Sequence, residues 1–134
     1  MDEEMTIKDF SQYRLNKAKE TLNGAEILYD NKNYGGAINR AYYSIFYAMK
    51  AVLTLEKKDF KRHKDVVGYF NKNYVHTEIF PKIMGKKIAQ SKKIREDSDY
   101  DDEYEPFSEE VQIQIETAKE LIELVEKYLK EKTV

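Results

Sequence analysis

The sequence predicts an all-α fold, an antiparallel up-and-down bundle of four main helices plus one short extra helix. Three observations predict it. Apolar residues recur in steps of three and four along most of the chain, no alternating apolar–polar stretch competes with them, and Asn, Gly and Pro residues fall between the periodic runs. The 134 residues make one domain, 1–134, with its core at about 7–131.

Thr6 followed three residues on by Asp9 reads as a capping box, and Phe10, Tyr13, Ala18, Leu22, Ala25, Leu28 and Tyr29 then recur at helical spacing, predicting a helix at about 7–31. Asn31, Asn33 and the pair Gly35-Gly36 read as the turn after it. The second helix, about 36–57, carries a stripe of small residues, Ala37, Ala41, Ser44, Ala48 and Ala51, along which another helix can approach closely. Beside it runs a large stripe, Ile38, Tyr42, Ile45, Met49 and Val52, and a third face holds Arg40, Tyr43, Tyr47 and Lys50. Such a helix is central, and its third face meets something other than plain solvent, because two tyrosine rings there would otherwise stay wet. Residues 63–74 predict a shorter helix with Val66, Val67 and Phe70 inward. Pro81 is expected in the first turn of the next helix, which carries Ile83, Met84, Ile88 and Ile94 among lysines. Asp97 to Phe107 reads as an acidic, tyrosine-bearing stretch closed by Pro106. Ser108 is then expected to cap the last helix, where Val111, Ile115, Ala118, Ile122, Val125 and Leu129 form the apolar stripe.

Net charge is only −2, but it is unevenly spread. Residues 57–95 carry 12 basic and 3 acidic side chains, whereas residues 96–134 carry 4 basic and 14 acidic ones. Either the two blocks face each other or lie solvated, or the middle block offers a positive patch to phosphates. The absence of cysteine excludes disulfides and thiolate metal sites, and with only His63 and His76 no metal site and no cofactor is expected. No apolar run reaches the roughly 18 residues that span a membrane. The acidic N-terminus, unlike a signal peptide, points to a cytoplasmic protein. No glycine-rich phosphate loop or nucleophile elbow is present.

Three clusters carry chemical potential. In NRAYYSIFYA, at 39–48, Arg40 lies one helical turn from Tyr43 and Ser44, so its guanidinium can stack on a ring, bind an anion or pair internally. In RHKDVVGYF, at 62–70, His63 opens a helix between Arg62 and Lys64, cations that would hold its pKa down. In REDSDYDDEYEP, at 95–106, Arg95 and Asp99 share a face and pair if the helix continues that far.

Taken in order, the Arg-Ala-Tyr-Tyr run with Phe46 and Ala48 downstream, the His63-Lys64 turn with Val67 and Phe70, and Arg95 with Asp99-Tyr100 resemble the HEPN domain. Within it they resemble a small stand-alone prokaryotic subfamily, over roughly residues 10–130. The resemblance implies a helical bundle that dimerises and is associated with RNA cleavage or nucleotide binding. Many such proteins are toxins paired with a minimal nucleotidyltransferase antitoxin. The family's ribonuclease motif is an arginine followed, after four to six residues, by a histidine, with two copies meeting across a dimer. Here Arg95 is present, but the histidine positions hold Tyr100, Asp101 and Asp102. A tyrosine, with an unperturbed pKa near 10, is a poor general base at neutral pH. His63 and His76 precede Arg95, and replacement of the motif histidine by His63 in space is the less favoured reading.

The leading expectation is therefore a catalytically degenerate HEPN protein that binds nucleotide, RNA or a nucleotidyltransferase partner through Arg40, Tyr43, His63, Arg95, Asp99 and Tyr100. Tyr100 or Tyr104 would accept a nucleotidyl group from that partner. One alternative is a metal-independent ribonuclease toxin using Arg95. Another is a purely structural, dimerising module in which Arg40 and the tyrosines serve the seam.

Overall fold

Helix forms where apolar residues recur in steps of three and four, and the chain folds as α1 (Ile7–Asp30), α2 (Tyr34–Leu55), α3 (His63–Phe70), α4 (Lys82–Tyr100) and α5 (Ser108–Lys132). The computed structural model describes residues 6–100 and 103–133; Asp101 and Asp102, two of the motif positions, lie outside them. Four long helices and one short one form the expected all-α bundle, with no strand among the described residues. None of these helices is long and apolar enough to cross a membrane.

The small stripe of α2 decides the packing. Ala37, Ala41, Ser44, Ala48 and Ala51 are all buried, and α2 packs against α1, α3, α4 and α5. Hydroxyls cross the α1–α2 seam in both directions: Ser44 Oγ donates to Ala18 O at 2.8 Å and Ser11 Oγ donates to Ala51 O at 2.6 Å. A serine reaches the backbone of a facing helix only when small side chains bring the two axes together. These pairs also fix α1 antiparallel to α2. Lys19–Glu126 at 2.8 Å and Lys119–Glu26 at 3.3 Å set α5 antiparallel to α1. Lys87–Glu120 at 2.9 Å joins α4 to α5 and ties the basic middle of the chain to its acidic tail within one subunit.

Local chemistry differs from expectation at several ends. The Thr6–Asp9 capping box is present. Gly35 and Gly36, expected in a turn, form the first turn of α2, which Asn33 caps by accepting from the Gly36 N–H at 3.0 Å. Ser108 does not cap α5: it is the first helical residue and its hydroxyl bonds Tyr29 at 2.7 Å, while the Phe107 N–H is taken up by Glu110 at 2.9 Å. Pro81 lies just before α4, its carbonyl accepting from the Met84 N–H. The expected helix at 63–74 is α-helical only to Phe70 and then widens into a π-helical turn, Asn71–Val75. The acidic stretch expected from Asp97 begins inside α4, which continues to Tyr100.

The core matches the predicted stripes of α2 and α5 throughout, and Val66, Val67 and Phe70 point inward. Phe10, Tyr13 and Ile83 do not join it; Tyr13 and Ile83 are 52% and 53% exposed. In α1 the expected Ala18, Leu22 and Ala25 do face inward, joined by Leu15. A second aromatic layer, Phe70, Tyr74, Phe80 and Tyr128, closes the end of the bundle, with ring centroids 5.2 to 6.2 Å apart.

A larger residue on the small stripe has no space to enter. Ala48→Leu is expected to cost about 1–3 kcal/mol, read as a lower urea midpoint with an unchanged denaturant slope; a midpoint within error of the parent would refute close α1–α2 contact.

Candidate functional site

Adjacent residues on a helix diverge by about 100°, so Tyr42 and Tyr43 take different roles. Tyr42 is fully buried, whereas Tyr43 sits half-buried at the rim of α2. Two further elements converge on this pair. His63 opens α3 and lies with its ring 4.2 Å from that of Phe46, edge-on to Tyr43 at 5.5 Å, and with Nδ1 3.3 Å from the Tyr42 hydroxyl. Arg95 arrives from α4, its guanidinium 5.3 and 5.4 Å from the centroids of Tyr42 and Tyr43. Its Nη2 donates to the Tyr43 hydroxyl at 3.3 Å, and its Nε lies 3.0 Å from Asp99 Oδ2. That last contact is an ion pair rather than a hydrogen bond: the buried Nε–H is not aimed at the carboxylate and has no acceptor among the described residues. The cation is therefore held by one carboxylate, one hydroxyl and two ring faces, with a donor unspent.

The field of Arg95 reaches its neighbours. Burial pushes the Tyr42 phenol up to about 12, against the pull of Arg95, so it stays protonated. Burial holds His63 below its ordinary value, and Arg95, Lys50 and Lys92 lower it further. The direction is the one expected from the sequence, but the cations responsible come from α2 and α4, not from Arg62 and Lys64. The tautomer follows from satisfying the buried phenol. Its proton has no other acceptor among the described residues, so Tyr42 donates to Nδ1 and the neutral imidazole carries its proton on Nε2.

Of the residues singled out from sequence, Tyr43, His63, Arg95 and Asp99 come together, and the conditional Arg95–Asp99 pair forms because α4 extends past Asp99. Arg40 does not join them. It is exposed beside Gly24 of α1 and makes no ion pair among the described residues. Tyr100 is 83% exposed at the end of α4. Tyr104 donates its hydroxyl to Glu110 at 2.7 Å, and burial together with that bond pushes it up to about 12. Sequence reasoning placed Tyr42 in the core stripe and overlooked its contact with His63; the available signal was that a buried tyrosine hydroxyl needs a partner. Among the described residues no three His, Asp or Glu side chains converge to hold a metal ion.

A family model of the HEPN domain matches residues 11–128. A Methanocaldococcus jannaschii protein named "putative toxin" is 34% identical over 93% of this chain and 92% of its own length. A UPF0332 protein of Thermotoga maritima is 30% identical over 90% of this chain and 91% of its own. A second Methanocaldococcus jannaschii "putative toxin" is 28% identical over 98% of this chain and 89% of its own.

The site makes a titration prediction. His63 is lowered in the fold from 6.5, so the unfolded chain takes up the proton first. Its contribution to stability is full above about pH 6.5 and declines as pH falls through the window below that value. NMR titration of the imidazole should give a midpoint below 6.5 with the proton on Nε2, and Arg95→Met should raise that midpoint. An unchanged midpoint would mean that the two groups do not share a field.

Proposed function

The chain belongs to the HEPN domain family, and from that premise we propose that it is a toxin-like HEPN protein binding the phosphate of a nucleotide or RNA at the Tyr43–His63–Arg95–Asp99 surface. The observation that carries the reading is the half-buried Arg95, its guanidinium positioned by Asp99, the Tyr43 hydroxyl and the Tyr42 and Tyr43 rings. A guanidinium already oriented by rings and a carboxylate loses little freedom when a phosphate docks. The proton on His63 Nε2 supplies a second, neutral donor beside the same Tyr42–Tyr43 pair. Arg40, exposed and apart, is left out of this surface.

The same geometry favours binding over proton transfer. A motif histidine must take or give a proton. His63 is poorly arranged for either: its Nε2 already carries hydrogen, and its low pKa leaves little imidazolium near neutral pH. One observation supports the ribonuclease alternative, namely that His63 stands against the same two rings as Arg95 although it precedes it by 32 positions. On that reading Arg95 steadies the charged phosphorane beside His63.

A nucleotidyltransferase partner and a homodimer belong to the same proposal. Tyr100, exposed, is the better nucleotidyl acceptor; the Tyr104 hydroxyl is already committed to Glu110. On coexpression with such a partner, intact mass should show an added nucleotide that Tyr100→Phe abolishes and Tyr104→Phe does not; an unmodified mass rules this out.

For the binding surface, fluorescence polarisation with a labelled RNA oligonucleotide in EDTA is the test. Arg95→Ala should weaken binding about tenfold or more, as expected for a lost charge-assisted contact, without any cleavage by the parent protein. Cleavage that disappears in Arg95→Ala would establish the alternative, and binding untouched by that substitution would overturn both readings.

A further inference from the structure

The π-helical turn Asn71–Val75, closed by the His76 N–H donating to Asn71 O at 2.8 Å, lies away from the Arg95 surface. Single π turns next to helices recur at functional sites because the widened ring re-aims side chains. Between this turn and the first two turns of α4 is a cleft of about 370 Å³ lined by Asn71, Val75, His76, Lys82, Gly85 and Lys86. That is the scale of a small-molecule site.

Three features give the cleft its chemistry. Gly85 lies inside a helix, where glycine is disfavoured, yet a Cβ there would come within 3.0 Å of Val75 Cγ1 and 3.5 Å of Asn71 Oδ1. The bare backbone lets α4 close on the π turn and leaves an apolar floor beside the Asn71 amide. Asn71 brings a side-chain amide to the lining, the one amide side chain among these residues. The rim is cationic. Lys86 makes no ion pair among the described residues, Lys82 leans only loosely on Glu78 at 3.6 Å, His76 adds a further donor, and no carboxylate lines the cleft.

We infer that this cleft binds a small organic phosphate monoester, with its dianion held by Lys82, Lys86 and His76 and its polar body meeting the Asn71 amide. A dianion suits several converging cationic donors around one end. The apolar floor and the Asn71 amide in the lining call for an organic body rather than a bare ion. This inference does not depend on the function proposed for Arg95.

The test is titration of the 15N-labelled protein with ribose 5-phosphate, inorganic phosphate and ribose, read from backbone amide shifts. Ribose 5-phosphate should shift the amides of Asn71, His76 and Lys82 to Ala89 and saturate at lower concentration than inorganic phosphate, with no response to ribose. Lys86→Glu should weaken the response about tenfold. Lys93→Glu, an equal charge change elsewhere on α4, should move it by less than about twofold. Ala89→Phe, which fills the cleft from an exposed position, should abolish it, whereas Arg95→Ala should leave it intact. Shifts outside the cleft, equal weakening by the two lysine variants, or equal binding of inorganic phosphate and the monoester would overturn the inference.

Discussion

The close approach of α1 to α2 is the constraint on which the remaining structure rests. It depends on a stripe with nothing larger than serine, and the two serines donate across the seam to Ala18 O and Ala51 O. Once that stripe is turned toward α1, the orientation of every other side chain on α2 is decided. Ile38, Tyr42, Ile45 and Met49 are directed into the core, and Tyr43 and Tyr47 come to the rim. The Tyr42–Tyr43 pair, and with it the platform for His63 and Arg95, follows from where the alanines lie.

That platform resolves an electrostatic difficulty. A half-buried guanidinium costs desolvation unless its charge is met. Asp99 meets it one turn along the same helix, and its guanidinium lies over the Tyr42 and Tyr43 rings. The acidic run after Arg95 is likewise less repulsive than its composition suggests. Glu96 pairs with Lys92, Asp97 with Lys93, Asp99 with Arg95, and Glu110 takes the Tyr104 and Phe107 donors. The three ion pairs are local, at i, i+4, so Glu96, Asp97 and Asp99 are met within their own helix.

Several readings failed, for one of two reasons. Ser108 is a good capping residue by type, but Tyr29 from α1 competes for its hydroxyl and Glu110 takes up the free N–H instead. Gly35-Gly36 resembles a turn, yet Asn33 starts the helix ahead of both. Phe10 and Tyr13 have the correct spacing but fall on the face of α1 that no helix covers. For Ser108, Phe10 and Tyr13 a partner distant in sequence, or its absence, outweighed the local signal; for the glycine pair a stronger local signal, the Asn33 cap, did so.

The sequence by itself determined the helices, the core stripes of α2 and α5 and, for a helix that runs past Asp99, the Arg95–Asp99 pair, because these depend on spacing within a single segment. The family resemblance depends on the order of three such segments. Tertiary structure alone decided that His63 stands with Arg95 on the Tyr42–Tyr43 pair, that Arg40 stands apart, and that the chain after Phe70 widens into a π turn against Gly85. Those outcomes rest on the relative placement of α1, α2, α3 and α4. Helical periodicity fixes which face of a helix is buried, but only packing fixes which side chain of another helix it meets.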